Sequence, residues 1–419
     1  MTTTTQMNRP KVELLAPAGD LEKLKVAVNY GADAVYMGGL RLGLRMKAKN
    51  FELSEMAEGV AYAHERGAKV YVTANVFAHN ADFEGMAEYF RALAEIGVDA
   101  LIISDPGVFT VAREAVPDMD IHISTQANNT NAQSVLFWKR LGARRVVLAR
   151  ELTMEEVAEI DAQTRGQVEL EAFVHGAMCI SYSGRCLLSS YMTGRDANQG
   201  ACAQPCRWEY RLEESKRPGE FYPITEDERG TYIMNSKDLC MLGYLPALIT
   251  AGVQSMKIEG RMKTPYYVAC TVRAYRRALD DLAVSEDLYR GRIPQYIAMA
   301  EECSHRQFTT GGYGGQWMDT QVYSDASYER SHEFLGIVRE YDAQAGMAVV
   351  EQRGKFSVGE AISFFRAQGE DFEQAVTALW DMEGNAVPSA PHPMQLLRIK
   401  VDKPVAPLDF LRKRVEDAI

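Results

Sequence analysis

The chain has 419 residues, more than one average domain holds and enough for a large domain with a smaller companion. Apolar residues make up 47% and charged residues 25%, a globular composition that excludes wholesale disorder. A formal net charge of −11 excludes a general nucleic-acid coat, but it leaves room for a local basic groove, because counterion release depends only on the side chains that touch phosphate.

In chain order, residues 1–10 are Thr-rich and polar and are expected to be disordered. They lack the basic-then-apolar run of a secretory signal, and nowhere do about 18 apolar residues run together. The expectation is a cytoplasmic protein without a membrane span. Seven cysteines in a reducing compartment point away from disulfides and towards metal or redox chemistry.

From residue 11 one local pattern returns: an amphipathic stretch, a Gly followed by Ala or Val, then a short apolar run. It starts at Gly31, Gly67, Gly97, Gly142 and Gly252. Gly ends a helix in the left-handed conformation because it has no Cβ to clash, and the run behind it reads as a buried parallel strand. Eight strands are predicted: Leu14–Ala16, Ala34–Met37, Val70–Ala74, Ala100–Ile103, Ile121–Ser124, Val146–Ala149, Val168–Val174 and Gln254–Ile258. Helices between them include Asp20–Tyr30, one capped by Ser54 and running to about Arg66, Glu151–Ala162 and Pro265–Leu279. The fold class is α/β: a (β/α)8 TIM-like barrel over residues 11–282, with an open doubly wound sheet as the alternative.

Residues 176–240 form a Cys-rich insertion between the seventh and eighth strands, longer than a structureless loop usually runs without a function. Residues 283–332 read as a helical and Gly-rich connector, with Ser285 placed to cap a helix. Short alternating runs at Leu335–Arg339, Met347–Glu351, Ala361–Phe365, Ala375–Trp380 and Leu396–Val401 predict a small antiparallel β-barrel domain over residues 333–405. Residues 406–419 read as a tail.

The chemistry concentrates in the insertion. Cys179, Cys186, Cys202 and Cys206 are separated by six, fifteen and three residues, and Cys240 follows after 33 more. Thiolates are soft ligands for iron–sulfur clusters or zinc, and the polar, turn-like surroundings of Cys202 are not those of a core thiol. Structural zinc sites pair close ligands twice, whereas only one pair here is close, so a cluster is favoured and zinc is the alternative. Cys270 and Cys303 read as packed or incidental thiols.

In such a barrel the active site lies at the carboxyl ends of the strands. The residues expected there include Tyr36, Gly38, Asn75, Asp105, Ser124, Gln126, Arg150, Glu151, His175, Lys257, Glu259 and Arg261. His175 is a candidate proton donor or a polar anchor, and Glu259 a second candidate catalytic group. Arg150 and Arg261 suit bidentate binding of a small carboxylate, or ion pairs with Glu151 and Glu259. Arg41, Arg45, Lys47 and Lys49 follow the second strand and suit a nucleic-acid backbone. Lys139, Arg140, Arg144 and Arg145 read instead as a solvated helix end on the far side.

Two segments carry a resemblance. ELLAPAGDLEKLKVAVNYGADAVYMGG near the start and residues 171–210, with HGAMCISYSGRCLLS and NQGACAQPCRWEY, are similar to signatures of the collagenase-like peptidases, family 32 of unknown catalytic type. The likeness runs from about residue 11 to 400. No Ser–His–Asp, Cys–His or HExxH arrangement supports a peptidase mechanism. The branch most similar is that of the prephenate-dependent tRNA 5-hydroxyuridine synthases. The resemblance implies an oxygen-independent hydroxylase acting on the wobble uridine, with a 4Fe–4S cluster and prephenate as co-substrate. It places ligands at Cys179, Cys186 and Cys202, with Cys206 or Cys240 as the fourth. It implies tRNA as partner, held in part by the small β-domain, and leaves room for a related protein partner. Tyr36, Arg45, Lys47, Gln126, Arg150, Lys257 and Arg261 are then the expected substrate-binding residues. The alternatives are a peptidase, a hydroxylase of ribosomal RNA or of a ubiquinone precursor, and a non-catalytic RNA-binding protein with a structural metal.

Overall fold

A computed structural model describes residues 12–40, 42, 51–179, 181, 186–195, 197, 202, 203, 205, 225–227, 230–232, 237–315 and 329–415. Arg41, Arg45, Lys47, Lys49 and Cys206, all singled out above, lie outside the described residues.

Strands β1 (Glu13–Pro17), β2 (Ala34–Gly38), β3 (Lys69–Ala74), β4 (Ala100–Ile103), β5 (Asp120–Ile123), β6 (Arg145–Val147) and β7 (Glu169–Ala177) pair in sequence order, each parallel to the next. The insertion ends with β8 (Asp238–Cys240), and β9 (Val253–Ile258) follows it. β9 pairs in parallel with both β7 and β1, with Glu13 opposite Ser255 and Met256 opposite Ala172, so the sheet closes on itself. The open-sheet alternative is thereby excluded. The five repeat glycines all have positive φ, from 73° at Gly67 to 104° at Gly31. They are the hinge between helix and strand that the repeat requires.

Outside the strands lie α1 (Leu21–Asn29), α2 (Leu53–His64), α3 (Met86–Glu95), α4 (Pro106–Ala115), α5 (Ala132–Arg140) and α6 (Met154–Thr164). Most start on a side-chain cap: Asp20, Asp105, Asn131 and Thr153 each accept from a backbone N–H of the first turn. α2 departs from the sequence reading. Its cap is Glu52, in a capping box with Glu55, and Ser54 lies inside the first turn.

The insertion contains α7 (Leu188–Thr193) and then β8, which runs antiparallel to β7 with Cys240 opposite His175. The short α8 (Leu245–Thr250) leads into β9, and α9 (Pro265–Val284) and α10 (Glu286–Ala300) follow. Ser285 caps α10, as its position predicted. The Gly-rich segment read as a connector does more than connect. β10 (Phe308–Thr309) adds a parallel strand to β8, and the turn Gly311–Gly314 seats the Tyr313 hydroxyl 3.0 Å from the Phe173 carbonyl.

The C-terminal unit is an antiparallel sheet built from β11 (His332–Asp342), β12 (Met347–Gln352), β13 (Ala361–Phe365), β14 (Phe372–Ala375), β15 (Leu379–Trp380), β16 (Ala386–Val387), β17 (Leu396–Lys400) and β18 (Phe410–Arg414). Its order is β14–β13–β18–β11–β12–β17–β15–β16, around a core that includes Leu335, Val350, Phe364, Leu397 and Leu411. β18 lies in the stretch read as a tail. It is instead a central strand, and its Arg412 is buried between Glu302 and Asp371. The sheet docks along α1 and α9. The Tyr30 hydroxyl donates to the Phe365 and Leu408 carbonyls, and Arg273 grips Asp371 with two bonds of 2.7 Å. Tyr266, Phe334, Phe365 and Phe410 stack in the seam. Among the described residues no helix is long and apolar enough to cross a membrane.

Candidate active site

The carboxyl ends of the barrel strands carry a polar cluster. From β3 and the turn after β5, Asn75 donates to both Ser124 and Gln126 at 3.1 Å, and Ser124 also bonds Gln126. Arg261, just past β9, is only 5% exposed although it carries a charge. It donates to Thr73 at 3.3 Å. The room for its guanidinium comes from Gly38: a Cβ there would lie 2.2 Å from Nη2 of Arg261. Arg150 lies over the Phe173 ring and donates to the Ala177 carbonyl at 3.1 Å. Tyr36 points into the barrel, with its hydroxyl on the Ile258 carbonyl at 3.0 Å and the Lys257 ammonium 4.4 Å above its ring. The structure therefore brings Tyr36, Lys257, Gln126, Arg150 and Arg261 to one end of the barrel. Two buried cations and an amide cluster there suit an anionic or heteroatom-rich ligand.

The interior below is polar where barrels of this kind are usually filled with branched aliphatic side chains. Lys257 meets Glu171 at 2.8 Å, and Glu171 also contacts Arg145 at 3.2 Å. Arg145 further bonds Glu13 and Glu169, and the Tyr71 hydroxyl donates to Glu13 at 2.6 Å. Burial alone would raise the carboxyl of Glu171, but the charges and hydrogen bonds of Lys257 and Arg145 outweigh it and hold it below the usual range. Arg145 was expected at a solvated helix end. It is instead a buried strand residue, because three inward carboxylates compensate it. Sequence reasoning missed this network. The available signal was the alternation of Glu169 and Glu171 within an otherwise apolar strand. At the amino-terminal face the network borders a polar cavity of about 150 Å³ lined by Tyr71, His122 and Arg144 among others.

His175 does not suit the role of proton donor. It is 1% exposed, with its Nδ1 3.4 Å from the Tyr275 hydroxyl, and is packed against Tyr267 and Phe308. Burial, with His305 and Lys263 nearby, lowers its pKa to about 3, so near neutral pH the ring carries no acidic proton to give. Its carbonyl accepts from the Glu259 amide at 2.8 Å, and the Glu259 carbonyl accepts from Tyr267 at 3.1 Å. Gly176, with φ of 109°, lets the two chains approach this closely, since a Cβ there would stand 2.5 Å from the Glu259 oxygen.

None of the described cysteines is in a disulfide. Cys179 follows β7 and is partly exposed. Cys186 is buried at the start of α7, where its Sγ accepts from the Leu188 amide at 3.4 Å. The next residue after Cys202, Ala203, donates its amide to Ser189 of α7 at 2.9 Å, so Cys186 and Cys202 belong to one small substructure. Cys240 is buried on β8, and burial pushes its thiol up to about 12. The donor set fits a thiolate-bound metal in its chemistry. Among the described residues, however, no three His, Cys, Asp or Glu side chains gather closely enough to hold one. Cys270 and Cys303 are both buried, Cys270 on α9 and Cys303 just after α10.

Comparison with known proteins adds to this geometry. The family model "Peptidase family U32" matches residues 19–321, and "Peptidase family U32 C-terminal domain" matches residues 330–412. The chain is 40% identical over 404 residues to tRNA hydroxylation protein P1 of Bacillus subtilis, covering 96% of this chain and 95% of that protein. It is 38% identical over 422 residues to tRNA hydroxylation protein P of Escherichia coli, covering 91% and 92%. A 23S rRNA 5-hydroxycytidine synthase of Escherichia coli is 37% identical over 304 residues, covering 71% of this chain and 45% of that protein.

Proposed function

Because the chain belongs to peptidase family U32, and because its likeness to tRNA hydroxylation proteins runs through barrel and C-terminal unit alike, we propose that it is a tRNA hydroxylase that makes 5-hydroxyuridine at the wobble position. The observation that carries this reading is the end-to-end identity with those proteins, at 40% over 96% of the chain. A peptidase reading finds little support: the His175 ring meets the Tyr275 hydroxyl, and the neighbouring Cys240 thiol is buried and pushed up to about 12, unlike a nucleophile.

The proposed cofactor is a 4Fe–4S cluster held by Cys179, Cys186 and Cys202, with Cys206 or Cys240 as fourth ligand. Such a cluster supplies one-electron chemistry without molecular oxygen. The ligands would gather as the metal binds, since metal binding and local folding are coupled. The proposed co-substrate is prephenate, whose carboxylates suit Arg261, Arg150 and Lys257. The Asn75–Ser124–Gln126 cluster offers both donors and acceptors for the polar edge of a uracil drawn into the mouth. Glu259 is the proposed group to take or return a proton, and the His175 carbonyl holds its backbone amide.

Deleting the gene tests the proposal. Nucleosides from the tRNA of the deletion strain should lack 5-hydroxyuridine and its derivatives. A strain unable to make prephenate should show the same loss. An unchanged nucleoside profile in the deletion strain would show the reading to be wrong.

A further inference from the structure

The side of the C-terminal sheet that docks on the barrel also carries exposed residues on its outer strands. On this side Ile337 packs into the barrel core, and Arg339 and Arg353 both bind Glu22 in the first turn of α1. α1 begins just past the carboxyl end of β1, so this anchor stands at the mouth end of the barrel. The strand register extends the same face outward. Ile337 lies opposite Glu351, and Glu351 opposite Leu396. In the next row Val349 lies opposite Arg398, and Arg398 opposite Trp380. Lys400 follows two residues beyond Arg398 on β17, and alternation along a strand puts both on one side. The intervening Leu397 and Ile399 are buried in the sheet's own core, which confirms the parity.

This outer part is uncovered. Arg398 and Lys400 are exposed, Leu396 is 40% exposed, and Trp380 is half-buried. Neither cation makes an ion pair among the described residues, although Glu340 and Asp342 lie on β11 two strands away. With strands about 4.8 Å apart, Arg398 stands roughly 10 Å and Trp380 roughly 15 Å from the anchor strand. A partly buried indole beside two unpaired cations is an uncommon surface, because each group alone would be solvated or covered. Together they match the parts of a single-stranded nucleic acid, with phosphates for the cations and a base face for the ring.

We infer that the exposed face formed by Trp380, Arg398 and Lys400 is a second RNA contact, which holds the sugar-phosphate backbone of the substrate outside the barrel mouth. This rests on the tRNA reading above. A tRNA presenting one nucleotide to the mouth extends well beyond the rim, and the strand that anchors this face is tied to the first turn of α1, at the mouth end of the barrel. The chain is acidic overall, so its grip on RNA must come from local sites of this kind.

The test uses the full-length protein and unmodified tRNA, with binding followed by anisotropy across a salt series. In Arg398→Glu/Lys400→Glu the slope of log K against log salt should flatten by about two units, with binding about tenfold weaker at low salt. Trp380→Ala should weaken binding at an unchanged slope, because stacking releases no counterions. Arg290→Glu, on the exposed side of α10, should do neither. All variants should keep the wild-type melting temperature and iron content. Wild-type tRNA binding that the double variant retains, with the same affinity and slope, overturns the inference while leaving the hydroxylase reading intact. A change of oligomeric state in the variants also overturns it, since the face would then join two copies of the chain. If the deletion strain keeps its 5-hydroxyuridine, the hydroxylase reading itself has failed.

Discussion

Replacing Glu171 by Gln removes one carboxylate from the centre of the barrel and leaves two cations. Arg145 keeps Glu13 and Glu169, but Lys257 loses its ion-pair partner at 2.8 Å. At an effective dielectric of about 20 that contact is worth roughly 6 kcal/mol before hydration is counted. Two limits bring the net cost down. Breaking a buried pair costs about 3–5 kcal/mol. A stranded lysine can also shed its proton, which from an ordinary value of about 10.4 costs roughly 4.6 kcal/mol at pH 7. A loss of about 3–5 kcal/mol is therefore expected, or roughly 6–10 °C in melting temperature for a domain of this size. Thermal unfolding followed by circular dichroism measures it. Lys257→Met should cost less, because Arg145 still compensates Glu171. The double variant should recover more than about 1 kcal/mol of the summed losses, since the two residues touch. A Glu171→Gln protein that melts within about 2 °C of wild type, or strictly additive losses, would refute the view that the polar interior is held by opposed charges.

Three further outcomes are expected. His122 is buried with its Nδ1 unpartnered, and burial, with Arg145 and Lys257 nearby, holds its pKa well below 6.5. The unfolded chain therefore binds the extra proton, so the stability linked to His122 is full above pH 6.5 and is lost as the pH falls below it, by up to about 1.4 kcal/mol per unit. Urea unfolding of His122→Phe at pH 7.5 and 5.5 should show a shallower pH dependence than wild type, and an equal dependence would contradict this. Gly38→Ala should drive the Arg261 guanidinium from its seat, lowering modification in vivo at least tenfold, about 1.4 kcal/mol, with the iron content unchanged; full activity would show that Arg261 can work elsewhere. Replacing Cys179, Cys186 or Cys202 by Ala should abolish iron retention in anaerobically purified protein, as should one but not both of Cys206→Ala and Cys240→Ala. Cys270→Ala or Cys303→Ala proving equally damaging would mean that the ligands have been misassigned.

Much of the barrel was legible in the sequence because its signals are local. Each repeat glycine sits at a positive φ, and each apolar run behind it is a strand of the closed sheet. Features fixed by distant partners were not legible. β18 reads FLRKR, two apolar residues followed by three cations with no alternation, and the pairing with Glu302 and Asp371 explains how Arg412 can be buried there. β8 has three residues and a partner more than sixty positions away, so no periodicity announces it. The mouth residues could be found by taking whatever follows each strand. Their environments could not: nothing local distinguishes His175, neutral in an aromatic cage, from a histidine poised to donate. The inward charges of β7 were visible as alternation, but their compensation by Arg145 needed the register of the neighbouring strand.

The central claim is that this chain hydroxylates tRNA uridine through chemistry that depends on its clustered cysteines and needs no oxygen. The most direct measurement is complementation under strict anaerobiosis. A bacterial strain stripped of its own tRNA uridine hydroxylases would carry either this chain or its Cys179→Ala variant, and nucleosides from purified tRNA would be resolved by mass spectrometry. The account predicts that 5-hydroxyuridine derivatives return with the wild-type chain and remain absent with Cys179→Ala at equal protein level. Their absence with both, or equal recovery with both, would contradict it.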